Sequence, residues 1–159
     1  MIRNIYFGIR VASLGMLGLL ISTTSMQVFA AKADYQGPPA MKIPADNAIT
    51  PERIALGKAL FFDPRLSGSN WISCATCHNP ALGWSDGLPT GIGEGQKVLG
   101  RSTPTILNTA YNRIQMWDGR AKNLEHQATG PIEAGVEMNQ SMPELIAELG
   151  TFKGYPELF

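Results

Sequence analysis

The sequence is poor in the residues that build most redox and metal sites: it has two cysteines and two histidines in 159 residues. A structural zinc site usually takes four ligands in two pairs. There is no third cysteine, and His126, far along the chain, is the only histidine besides His78, so no second closely spaced ligand pair exists. A surplus of charge is lacking too: 13 Lys and Arg balance 13 Asp and Glu, and no basic patch points to nucleic acid as a partner. Period-two alternation does not persist anywhere, which argues against a sheet. Internal repeats and low-complexity tracts are also missing.

The few cysteines and histidines present are concentrated. Cys74-Ala75-Thr76-Cys77-His78 is a C-x-x-C-H pattern, the spacing of covalent c-type haem attachment. On one helical turn Cys74 and Cys77 share a face, so each sulfur can add to one porphyrin vinyl group. His78 is then the proximal iron ligand. A thioredoxin-like C-x-x-C would sit near a βαβ pattern, but Asp63–Ile72 before it is a polar loop with no β-rich run. A plain disulfide would leave His78 unexplained.

Residues 1–33 read as a signal peptide. Met1–Arg10 holds Arg3 and Arg10 and no acid, Val11–Ile21 is apolar or small except for Ser13, and small-x-small sites allow cleavage after Ala30 or Ala33. The apolar run is short of the about 20 residues a membrane span needs. Export to the periplasm is expected, and it fits covalent haem, which is attached on the far side of the bacterial inner membrane.

With 17 Gly and 11 Pro, the mature part is expected to be all-α, with short helices, long Gly/Pro-rich loops and haem as much of its core. Residues 34–48 read as an extended arm and 49–159 as the haem domain. Thr50-Pro51 caps a helix to about Phe61 that packs Ile54, Ala55, Leu60 and Phe61 and stops at Asp63-Pro64. Ser73 caps the cysteine helix. Leu82–Gly100 is a long, functional or mobile loop. Thr103-Pro104 should open a helix to about Ala110. Asn123–Ala128 should be helical and close at Gly130-Pro131. Ser141 should open a last helix that stops at Gly150.

Function then turns on the sixth iron position. A Met or a second His there makes a low-spin electron carrier, whereas an open or displaceable position beneath polar groups gives peroxide or oxygen chemistry. The candidates are Glu94, Met116, His126, Gln127, Glu137 and Met138. Met116 and Met138 follow His78 by 38 and 60 residues, spacings that suit an axial Met, although core filling explains a Met equally well. His126 reads as a surface helix residue. Glu137 follows the apolar run Gly130–Val136. If buried in a haem pocket it would have a raised pKa and move protons; otherwise it is a solvated loop acid.

Several motifs, in order, resemble the bacterial di-haem cytochrome c peroxidases and the related MauG-type enzymes. These are Leu56-Gly57-Lys58, Leu60–Ser67, Ser73–Pro80, Arg101–Thr105, Trp117–Ala121, Leu124–Ala128, Gly130-Pro131-Ile132 and Glu137-Met138. The match begins near Pro51 and is similar to the N-terminal, peroxidatic half of the family, a cytochrome c-like domain. The resemblance implies one haem c held by Cys74 and Cys77 with His78 proximal, Glu137 as distal acid–base residue, Gln127 ordering the distal pocket, and Trp117 on the electron route between two haems. It implies hydrogen peroxide as substrate and a small donor, cytochrome c or cupredoxin. It also implies a second haem in a C-terminal domain that this sequence lacks, so a fragment is expected, and homodimers. MauG-type relatives instead oxidise residues of a partner protein. Two positions depart from the pattern. Glu94 stands where many members have a loop histidine that caps the iron, which predicts a haem that is not bis-histidine, with Glu94 as a weak distal ligand at most. Ser102 replaces an asparagine that helps hold an interdomain calcium, so calcium does not carry over.

Overall fold

The structure, a computed structural model, describes residues 36–159. The signal peptide expected at 1–33, and Asp34 and Tyr35 of the arm, lie outside the described residues. The chain divides into two units, Met1–Pro39 and Ala40–Phe159. Of the first, only 36–39 are described, as irregular chain. The second unit carries every helix and turn of the described residues.

Four α-helices are separated by long connections: α1 (Pro51–Phe62), α2 (Cys74–Cys77), α3 (Leu124–Glu133) and α4 (Met142–Leu149). Short 3₁₀ turns punctuate the connections at Pro64–Leu66, Pro80–Leu82, Glu94–Gln96 and Thr109–Tyr111. The described residues hold no strand, only three isolated antiparallel bridges: Asn79 with Ser85, Ile92 with Val98, and Gln115 with Ala121. Each closes a loop of the same size. Leu82–Gly100, expected as one long loop, is therefore divided by these turns. Among the described residues no helix is long and apolar enough to cross a membrane.

Helix α1 begins as its sequence dictates. The Thr50 hydroxyl accepts the Arg53 N–H at 3.2 Å, Pro51 fills the first turn, and Asp63 ends the helix in extended backbone. Its packed face differs from expectation. Ile54 is 59% exposed and Ala55 is exposed, whereas Leu56 and Leu60, one turn apart, pack on the core. Two residues of helix rotate a side chain by about 200°, so Ile54 stands opposite Leu56. Phe61 does pack, edge-on against Trp84 at 5.7 Å between centroids. The 40–48 segment of the arm is also tied down: the Asn47 side chain donates to Glu125 at 2.8 Å and accepts from Arg53 at 3.0 Å.

Two further expectations are corrected. No helix opens at Thr103-Pro104; that stretch is irregular up to the 3₁₀ turn at Thr109. Its polar groups are taken by distant partners. Thr103 donates from its hydroxyl to Asp86 and accepts at its carbonyl from Ser85, both at 2.7 Å, and the Thr105 hydroxyl donates to the Gly83 carbonyl at 2.7 Å. Helix α3, in turn, runs through Gly130-Pro131 to Glu133. The chain then folds back so that Met138 N–H and Gln140 N–H bond the carbonyls of Pro131 and Ile132 at 3.2 and 2.8 Å. These bonds satisfy carbonyls that the helix end would orphan.

The core is small: Leu66, Ile72, Met138, Leu145, Leu149 and Tyr155, with Leu56, Leu60, Ile132, Met142 and Phe152 packed around it. A polar cluster closes one edge. Asp63, 7% exposed, accepts from the Arg65 guanidinium and from the Tyr155 hydroxyl, and Arg65 lies 4.1 Å above the Phe152 ring. Arg65, then Tyr155, holds the Asp63 carboxyl down at about 2, while burial and Asp63 push the Tyr155 phenol up to about 12. A depressed carboxylate stabilises the fold above its unfolded value of 3.8, and the contribution fades as pH falls toward 2. A raised phenol stabilises below 10, and the contribution fades as pH rises through 12. Tyr155→Phe is expected to cost about 1–3 kcal/mol of stability, the price of one buried hydrogen bond to a charged group. It should also abolish the alkaline loss between pH 10 and 12; urea unfolding at neutral and alkaline pH checks both.

Candidate functional site

Helix α2 is a single turn whose two ends are set by its own sequence. The Ser73 N–H donates to the Thr76 hydroxyl at 3.0 Å, a reciprocal N-terminal cap, and the His78 N–H closes the turn on the Cys74 carbonyl at 2.8 Å. Cys74 and Cys77 are half-buried free thiols. Burial raises the pKa of both. At Cys77 the charges of Asp86 and Glu137 raise it further. The Cys77 sulfur faces the Ile92 carbonyl at 3.8 Å.

His78 is oriented by two backbone carbonyls. Its Nδ1 lies 3.1 Å from the Pro104 oxygen and 3.3 Å from the Trp84 oxygen. Two acceptors and no donor at Nδ1 require the proton there, so the lone pair of the neutral ring is at Nε2, where a metal binds. The irregular course of 103–105 is what delivers the Pro104 carbonyl. Among the described residues no three His, Cys, Asp or Glu side chains gather as ligands for a bare ion. Two thiols on one turn, each able to add to a vinyl group, and one imidazole with its lone pair at Nε2 fit a porphyrin tethered through sulfur.

Glu137 sits in a turn that α3 and the 91–98 loop hold from two sides. Its N–H donates to the Ala134 carbonyl at 2.9 Å, and its own carbonyl accepts the Glu94 N–H at 2.8 Å. Gly93 passes directly over this turn: a Cβ there would collide with the Val136 carbonyl and the Glu137 Cα. Glu137 is half-buried, as its apolar lead-in suggested.

The remaining candidates divide. Met138 is 4% exposed and belongs to the core cluster with Leu66 and Ile72, so it is a core side chain rather than a ligand toward the cysteine turn. The Met116 sulfur accepts from the Gln127 side-chain amide at 3.9 Å, with the methionine backbone in left-handed conformation at φ 72°. His126 is exposed, its Nδ1 accepting the Lys122 N–H at 3.4 Å. Trp117 is 62% exposed, its indole N–H on the Ser102 carbonyl at 3.1 Å. Sequence reasoning missed Ser69, Trp84 and Pro104. The last two act through backbone carbonyls, which no residue type announces.

Comparison with known proteins adds a family. The family described as di-haem cytochrome c peroxidase matches residues 51–159. The methylamine utilization protein MauG of Methylorubrum extorquens is 53% identical over 130 residues, which cover 82% of this chain and 37% of that protein. The cytochrome c551 peroxidase of Pseudomonas aeruginosa is 47% identical over 112 residues, 70% of this chain and 32% of that one. Among solved structures, a MauG-like protein associated with microbial copper homeostasis superposes with a TM-score of 0.71 at 29% identity, covering 77% of this chain and 37% of that one. The chain thus spans roughly a third of the length of these relatives.

Proposed function

The chain belongs to the di-haem cytochrome c peroxidase family, and from that premise we propose that it carries the peroxidatic site of a periplasmic c-type haem peroxidase. Cys74 and Cys77 would hold the haem, and His78 would offer its Nε2 to the iron. When bound, the haem supplies the iron at which hydrogen peroxide accepts electrons. The rest is the work of this chain. Glu137 takes the proton from one peroxide oxygen onto its carboxylate and returns it to the other. The balance is one peroxide, two protons and two electrons to two waters. Gln127, its amide held toward the Met116 sulfur, orders the pocket beside Glu137. The electrons come from a small donor protein, cytochrome c or cupredoxin, through a second haem, with Trp117 on the route. Calcium has no part in this reading.

The observation that carries the proposal is that the 91–98 loop joins the cysteine turn to the Glu137 turn: the Ile92 carbonyl faces the Cys77 sulfur at 3.8 Å, the Glu94 N–H bonds the Glu137 carbonyl at 2.8 Å, and the tautomer of His78 is already set for metal binding. An electron carrier with methionine on the iron has less support, because Met138 is in the core and the Met116 sulfur is engaged by Gln127. The exposure of Trp117 favours one second reading of the same site, oxidation of residues on a partner protein across that surface. Rapid mixing of the haem-loaded chain with hydrogen peroxide tests the proposal. A peroxidatic site is expected to change its Soret band within seconds. A sulfur–iron charge-transfer band and an inert Soret band would show a carrier instead.

A further inference from the structure

Glu94 raises a question that its position in the chain leaves open: it occupies the loop where an iron-capping ligand would stand, yet its side chain is already engaged. Its carboxylate accepts the Ser69 hydroxyl at 2.7 Å. Its N–H donates to the Glu137 carbonyl at 2.8 Å. Around it, Lys97 donates from Nζ to the Gly135 carbonyl at 3.3 Å, and the side-chain-free Cα of Gly93 lets the loop lie on Val136 and Glu137. From the other side, the Gly68 N–H reaches the Met138 carbonyl at 2.8 Å, and Gly68 itself abuts the Asn139 carbonyl. Three segments distant in sequence, 67–70, 91–98 and 134–139, are thereby joined, and Glu94 is the residue that touches both of the others.

We propose that Glu94 is a positioning residue and not an iron ligand: the Ser69–Glu94 side-chain bond and the Glu94–Glu137 backbone bond clamp the glycine-rich loop onto the turn that carries Glu137. The clamp rests on the reading of Glu137 as the proton carrier. Its consequence is that Glu94, the one carboxylate within 91–98, is held on Ser69 and would not be free to bind a haem iron. The interaction needs an acceptor at residue 94 and a donor at residue 69, and it does not need a negative charge. Glutamine at 94 therefore keeps it, whereas alanine at either position breaks it.

The test uses the haem-loaded full chain and its Ser69→Ala, Glu94→Ala and Glu94→Gln variants, with two readouts. The first is hydrogen exchange of the 91–98 and 134–139 amides. The second is the resting optical and paramagnetic spectrum, together with the rate of the peroxide-induced Soret change. Ser69→Ala and Glu94→Ala are expected to speed exchange at both segments and to slow the peroxide step by about tenfold, the equivalent of one hydrogen bond. Their resting spectra should match the parent, and Glu94→Gln should restore both exchange and rate to within about threefold of it. A resting spectrum altered by Glu94→Ala or Glu94→Gln but not by Ser69→Ala would make Glu94 a ligand and overturn the clamp. Unchanged exchange in both alanine variants would overturn it as well. Failure of the underlying reading looks different: Glu137→Gln would leave the peroxide rate intact while the alanine variants still loosened the two segments.

Discussion

Chains in which both Cys74 and Cys77 are replaced by alanine, expressed with haem-maturation machinery, are expected to carry no covalently held pigment. A pyridine haemochrome assay on acid–acetone-extracted protein should fall to background, while the parent retains one haem c per chain. The reason lies in the geometry of α2. One helical turn sets two half-buried thiols on one face, and once both are replaced no thiol is left to add to a vinyl group, since the sequence contains no third cysteine. The single Cys74→Ala variant should keep one thioether and show a displaced α-band, because one vinyl group stays unsaturated. Stability should follow the pigment. The protein core comprises few buried apolar side chains. Covering about 200 Å² of apolar surface with a porphyrin contributes about 5 kcal/mol, enough to raise the thermal midpoint by at least about 10 °C. Retention of covalent pigment in the double variant would remove the cysteines from the site.

Glu137→Gln is expected to slow the peroxide-induced Soret change by about 10²–10⁴-fold, the range for loss of a positioned acid–base group. Glutamine has the same length and cannot shuttle a proton as a carboxylate does. The turn should survive the change, because it is held by the backbone. The Glu137 N–H bonds the Ala134 carbonyl and the Glu137 carbonyl accepts from Glu94, neither of which involves the side chain. Peroxide affinity should therefore change far less than the rate, and stopped-flow measurements over a range of peroxide concentrations separate the two. An unchanged limiting rate would exclude Glu137 from the proton transfer.

The local rules held where a signal and its partner lie within one turn of each other. Thr50 caps α1 three residues before its partner, Ser73 pairs with Thr76, and Ser141 and Gly150 bound α4. The rules failed where the partner is distant. Thr103-Pro104 has the local form of a helix start, but the hydroxyls and carbonyls of 103–105 are engaged by Asp86, Ser85, Gly83 and His78. Gly130-Pro131 has the form of a helix stop, yet the chain returning at 138–140 caps the carbonyls beyond it. Ile54 misled for a related reason: apolar character does not say which face of a helix meets the core.

For the site, the residue types and their order were sufficient to identify the haem motif, the family likeness and Glu137 as a candidate acid. Those are properties of covalent spacing, which is written directly in the chain. The proton on Nδ1 of His78, the retirement of Met138 to the core and the engagement of Glu94 by Ser69 were decided only by the tertiary structure. Each depends on a carbonyl, a packing neighbour or a hydroxyl brought in from 25 or more residues away. Such contacts form only when long loops close, so nothing in the local sequence encodes them.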